Sequence, residues 1–414
     1  MQKAYPLIDR TVPVRSEMIG NGTNATQSRI TASSIFVAIS IVIGLSHWPM
    51  APAIAQSLPP ALSPPTIKPT SGPWDAGAGF AFDLGKKKTL KTRQSVSGIA
   101  CNLNAQQQRV CLLAFDEGVE ARYATVSDQR LVADPEVVVL RTAGAGSELD
   151  AEGAATDGRY FYVTGSHSAK RSDCASNPES RHVIRFRLDP ATGRALRSPA
   201  NNPQGALVDY ADTGRLWDIM QAQPTLAAHV GERKCLGSEP PSKAPSLAGQ
   251  QGVNIEGLAV RGGTLYFGFR GPVVSDKSDA GSVAKVLAVN ADALFAGGEP
   301  QAAVTSIALG AHRGIRDMVA VKTGLLLLAG PDDSAANKDV GWTVAWWDGK
   351  ASGQIVTPKV LAILDLSGVK LRGCDEELKP EAITVLEETP EAYKLLVLSD
   401  GMCDGGALAF TVAR

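Results

Sequence analysis

The chain has 414 residues and a net charge of −1, from 41 Lys and Arg against 42 Asp and Glu. This balance supplies no electrostatic footprint for nucleic acid or an anionic membrane surface. Gly (41) and Pro (25) are plentiful and long helical periodicity is rare, which favours many short strands joined by turns.

In chain order, the first feature is the apolar run SSIFVAISIVIGL at 33–45, preceded by Arg29 and followed by APAIAQ. Ala53 and Ala55 occupy the small positions of an A-x-A cleavage site, so 1–55 reads as a signal peptide. The run is shorter than the roughly 20 residues of a membrane span. An uncleaved anchor is the alternative. The expected location is the periplasm or the exterior, with no membrane span after cleavage. Residues 56–78 read as a disordered Pro-rich linker, and 79–414 as one domain.

Six cysteines suit an oxidising compartment. Cys101 and Cys111 flank a turn between two apolar runs, Cys174 and Cys235 lie in polar loops, and Cys374 and Cys403 flank the last motif. These three pairs are the expected disulfides, although spacing alone leaves other connectivities open. No C-x-x-C or Cys/His cluster supports a metal site instead.

A repeat organises the rest. Copies begin at Ser97 (SGIACNLNAQQQRVCLLAFDEG), Ala151 (AEGAATDGRYFYVTGSHS), Ile255 (IEGLAVRGGTLYFGFRGP), Ile315 (IRDMVAVKTGLLLLAGPDD) and Pro380 (PEAITVLEETPEAYKLLVLSDG). Each has a polar or Gly-containing entry, a strand, a turn, a second strand and a polar exit. Further strand-like runs follow most copies. Sequential four-stranded units at intervals of roughly 50 residues predict an all-β fold, a β-propeller of five or six blades. The long gap before Ile255 holds Leu216, Ile219, Met220 and Leu226 at helical spacing, so a helical insertion is expected around 213–230. The last copy lacks an outer strand, and GFAFDLG at 79–85 is expected to supply it and close the ring.

Antiparallel pairing brings the entry and exit of each copy to one end of the molecule. The residues so gathered are Asp116 and Glu117, Glu152 and His167, Glu256 and Arg270, Arg316, Asp317 and Asp332, and Glu381 and Asp400. Two readings are open. In one, Glu152, Glu256 and Glu381 hold a hard cation such as calcium. Arg270 and Arg316 then grip a small anionic ligand, Asp317 and Asp400 add ligand contacts, and His167, Glu256 and Arg270 carry hydrolysis of an anionic ester. In the other, the same charges pin blade to blade and the propeller is a non-catalytic platform for an envelope protein or glycan. Trp346 and Trp347 must face opposite sides of a strand, one toward the core and the other free to stack on a sugar. No G-x-S-x-G elbow, phosphate loop or H-E-x-x-H motif occurs. The chain is expected to act as a monomer.

The elements NIEGLAV…LYFGFRGP, GIRDMV and PEAITVL…LLVLSDG resemble a bacterial secreted family known as domain of unknown function 3616. That family is distantly similar to phytase-like, esterase-like propellers. The resemblance runs from Ser97 to the C-terminus. It implies a propeller fold and a phosphoester or ester substrate, without matching a catalytic set residue by residue.

Overall fold

The computed structural model describes residues 63–142, 148–200, 202–275, 282–351 and 353–414. The expected signal peptide lies outside them. Five antiparallel sheets form the blades of a propeller. Blade one comprises Val96–Leu103, Arg109–Phe115, Glu120–Ser127 and Arg130–Val139. Blade two comprises Ala151–Thr156, Tyr160–Gly165, Val183–Asp189 and Ala211–Thr213. Asn254–Arg261, Thr264–Gly271, Ser282–Asn290 and Ala303–Ile307 make blade three. Arg313–Val321, Gly324–Pro331, Thr343–Trp347 and Lys359–Leu364 make blade four. Blade five has three strands, Lys379–Glu388, Ala392–Asp400 and Leu408–Ala413.

The first strand of each blade is innermost. Each packs on the inner strand of the next blade, and Val96–Leu103 also meets Lys379–Glu388, so the ring closes at five. Between successive sheets lie apolar clusters, such as Val286, Leu325 and Leu327 between blades three and four. Continuous burial on both faces explains why the second strand of blade four, GLLLLAGP, is apolar throughout.

The N-terminal chain completes blade five, as expected, but through different residues. The Thr70 N–H donates to Ala409 O at 2.8 Å and the Trp74 N–H to Ala407 O at 2.9 Å. Residues 79–85 form no strand. Phe80 and Phe82 instead turn inward and meet Phe115 edge-on, at 5.5 and 5.1 Å. The expected linker is thus ordered over its described part. Thr66–Ile67 pairs in parallel with the outer strand of blade four, and Trp74 is buried. A single aromatic among Ser, Gly and Pro gives no periodic signal, which is why the sequence pattern misses it.

The insertion is helical. Arg215–Gln221 forms a short α-helix that buries Leu216, Ile219 and Met220, and a 3₁₀ turn follows at Ala227–His229. There is no sixth blade among the described residues. The disulfides are Cys101–Cys111, Cys174–Cys235 and Cys374–Cys403. No helix among the described residues is long and apolar enough to cross a membrane.

Candidate functional site at the channel mouth

Every inner strand carries a β-bulge at the same place. The register skips one residue between Val96 and Gly98, Ala151 and Gly153, Ile255 and Gly257, Ile315 and Asp317, and Pro380 and Ala382. The unpaired residues are Ser97, Glu152, Glu256, Arg316 and Glu381. A bulge re-aims the side chain it releases. Four of these five side chains line one cavity of about 1630 Å³ at the channel mouth. Ser97 is the fifth member of the ring, with its Oγ donating to Ser95 O at 3.3 Å. The residue after each bulge packs on the next blade. A Cβ on Gly153 would stand 2.7 Å from Leu258 Cβ and 3.0 Å from Leu258 N, so that position demands glycine.

One side of the cavity is a closed ion-pair network. Arg316, 1% exposed, places Nε 3.0 Å from Glu256 Oε2 and pairs through Nη2 with Glu381. Arg270 reaches Glu256 Oε1 at 3.0 Å and Asp333 Oδ1 at 3.2 Å. Arg171 reaches Asp333 at 2.8 Å. Lys379 bridges Glu381, at 3.0 Å, and Asp400. The Asn254 amide donates to Glu256 at 3.0 Å and Asp333 at 3.1 Å. Burial opposes ionisation of Glu256 and Asp333, yet the arginines outweigh it and hold both carboxyls below their usual range. Burial and the neighbouring Arg270 pull Arg316 down to about 10, which leaves it charged at neutral pH.

The other side is acidic, and among the described residues no cation pairs with Asp116, Asp150 or Glu152. Glu152 is 9% exposed, lines the cavity, and has no hydrogen bond or ion pair among the described residues. Burial raises its carboxyl well above the ordinary value, and Glu256, Asp150 and Asp116 add to the shift. Asp116 is pushed up to about 7, mainly by burial and then by Asp400 and Asp150. Its Oδ1 is buried without a hydrogen-bond partner. Asp150 is also raised by burial, while Ser166 hydrogen-bonds it. In all, eleven acidic and seven basic residues line the cavity, so its field favours a cation or a neutral ligand over an anion.

One carboxylate oxygen from each of Glu152, Glu256 and Glu381 lies within 4.8 Å of the others. A calcium ion bound at 2.3–2.6 Å spaces its oxygen ligands by up to about 5 Å, so the spacing of the three oxygens is within the range of one such ion, while Glu256 and Glu381 also pair with Arg316.

Several expected site residues lie elsewhere. His167 is fully buried and does not line the cavity. Its Nδ1–H donates to Gly165 O at 3.0 Å, and burial lowers its pKa to about 4, leaving the ring neutral. Asp317 points between blades and accepts the N–H groups of Met318 and Ile383, each at 2.7 Å. It is an inter-blade staple with no oxygen directed at a ligand. Asp400 does not line the cavity; it pairs with Lys379 and its charge helps raise Asp116. The guanidinium groups of Arg270 and Arg316 are engaged by carboxylates, so the anion clamp expected from them does not form. Trp347 is core and Trp346 is half-buried. Neither lines the cavity, whereas Trp342 does.

Sequence reasoning missed Ser97, Asp150, Asp333, Lys379, Asn254 and Trp342. Aligning the bulges (SGIA, EGAA, EGLA, RDMV, EAIT) would have found Ser97. Asp150, Asn254 and Lys379 lie just ahead of those bulges, two residues before the released side chain. Asp333 ends the fourth copy as part of its polar exit, and Trp342 carries no repeat signal.

Solved structures with a distant likeness to this chain include several GH43 enzymes. A GH43 β-1,3-galactosidase is 7% identical, with 84% of this chain and 94% of that chain covered and a TM-score of 0.42. The GH43 endo-arabinanase of Bacillus licheniformis is 10% identical, with coverage of 82% and 96% and a TM-score of 0.32. A GH43_1 enzyme from Xanthomonas citri, complexed with xylose, is 10% identical, with coverage of 78% and 88% and a TM-score of 0.38. These lend no support to the phytase-like relation. Comparison with curated proteins finds no match. The model of one family does match, over residues 102–195 and 205–405, which is more than half of the chain, and the protein belongs to that family, described as "Protein of unknown function (DUF3616)".

Proposed function

We propose that the channel mouth is a divalent-cation site, and that the bound ion makes the cavity above it a binding site for an oxygen-rich ligand. The observation that carries this reading is the convergence of Glu152, Glu256 and Glu381 from three blades, with Glu152 buried and unpartnered. A buried carboxylate without a partner is costly. A cation of charge two offsets that cost and the acidic surplus around it. Six or more oxygen ligands suit calcium, and the ligand and water would complete the shell. The three disulfides support work outside the cytoplasm.

Ester or phosphoester hydrolysis is the catalytic form of this reading. In it the ion, rather than the arginines, would receive the anionic group. The test is a thermal melt of the full chain with calcium, magnesium or manganese, against a chelator, followed by a screen of generic esters and phosphoesters. A rise in Tm with one ion, absent in Glu152→Gln, supports the site. Turnover that needs the same ion supports the enzyme.

The platform reading has one observation in its favour. Glu256, Arg316 and Glu381 come from blades three, four and five, so their ion pairs also pin those blades. No shift with any ion and no turnover would favour it.

A further inference from the structure

The cavity holds two features that ion binding leaves unused. The first is the acceptor wall of Asp116 and Asp150, where Asp116 Oδ1 is buried without a partner. The second is Trp342, which lines the cavity half-buried. Its indole is seated against Gly330, where a Cβ would stand 2.6 Å from Nε1. Its N–H donates to Pro380 O at 3.1 Å. The ring is therefore held in place by its neighbours.

A ligand for this surface must satisfy several demands. Acidic residues outnumber basic ones around it, which disfavours a polyanion. The ligand should carry many hydroxyl donors, because carboxyl groups wait for them. It should present an apolar face to an indole, and paired oxygens to a hard cation. The cavity of about 1630 Å³ exceeds the roughly 300–1,000 Å³ of ordinary small-ligand sites, so the ligand should be extended.

We infer that the cavity takes a neutral oligosaccharide, with one sugar ring packed on Trp342 and the hydroxyls of other units meeting Asp116, Asp150 and Glu152. This rests on the cation reading for the contact at Glu152, whereas the contacts at Trp342 and Asp116 stand apart from it. A neutral sugar needs no arginine clamp, and none is free here.

The test is calorimetric titration of the full chain with cello-, xylo-, manno- and β-galacto-oligosaccharides, in calcium and in chelator. Spermine and inositol hexakisphosphate serve as cationic and anionic probes. The expected result is that at least one neutral oligosaccharide binds. Trp342→Ala should weaken it about tenfold, and Trp342→Phe, which keeps an aromatic face but loses the bond to Pro380 O, should restore part of the loss with calcium affinity unchanged. Calcium binding without any neutral oligosaccharide overturns the saccharide inference and spares the cation site. Saccharide binding without calcium binding overturns the cation site and keeps the saccharide. Binding indifferent to Trp342→Ala, or binding of spermine or inositol hexakisphosphate alone, also overturns the inference.

Discussion

Arg316 of blade four lies with its Nε 3.0 Å from Glu256 Oε2 of blade three, and both side chains are almost wholly buried. A pair of this kind adds little net stability against an apolar isostere, but removing one partner strands a buried charge. Arg316→Ala would remove one cation from each of two buried carboxylates, leaving Glu256 with Arg270 and Glu381 with Lys379. The expected loss is about 3–5 kcal/mol, read by denaturant unfolding. Glu152 has no partner to strand, so Glu152→Gln should leave stability unchanged or raise it.

The acidic wall predicts an unusual pH profile. Asp116, Asp150 and Glu152 hold their protons more tightly in the folded chain than in the unfolded one. Stability therefore falls as pH rises from the ordinary carboxylate range to the folded values, for Asp116 from 3.8 to about 7. Glu256 and Asp333, both lowered, act in the opposite sense, and their contribution is lost as pH falls through their folded values. Without added cation the stability optimum should lie on the acid side of neutrality. Asp116→Asn should flatten the decline toward neutral pH, and melts across a pH series check this.

Closure by the N-terminal chain predicts a large cost for a residue in sequence that looks like a linker. Trp74 is buried with Phe80 and Phe82 against blades one and five. Trp74→Ala should cost about 3–5 kcal/mol, close to the loss from a core aromatic within a blade. A variant that melts like the wild type would mean that the segment does not close the ring.

The Cys174–Cys235 bridge spans 61 residues and ties the loop between the second and third strands of blade two to the segment that follows the helical insertion. Loop-closure entropy assigns it about 4 kcal/mol. Replacing both cysteines by serine should lower Tm clearly and increase protease cleavage within 166–253. Equal cleavage of the two proteins would count against this role.

The repeat made the propeller legible because each blade must bury two apolar strands around a common axis, and that demand writes a pattern into every copy. Glu152, Glu256, Arg316 and Glu381 were legible for the same reason, since they occupy one repeat position. Their partners were not. Arg270 is held by Glu256 of its own blade and by Asp333 at the exit of the fourth copy, and the repeat does not say which exit meets which arginine. His167 and Asp317 show the converse error. Both sit at the right end of a strand, but local backbone geometry turns His167 into the fold and Asp317 toward the N–H groups of neighbouring strands.

The most direct test of the cation site is calorimetric titration with calcium near neutral pH. Burial raises the Glu152 carboxyl above its ordinary value, and only the ionised form ligates an ion, so binding should weaken as pH falls. The expected result is one saturable site per chain in the wild type, and its loss in Glu152→Gln at unchanged Tm. Absence of calcium binding to the wild type, or identical binding by Glu152→Gln, would contradict it.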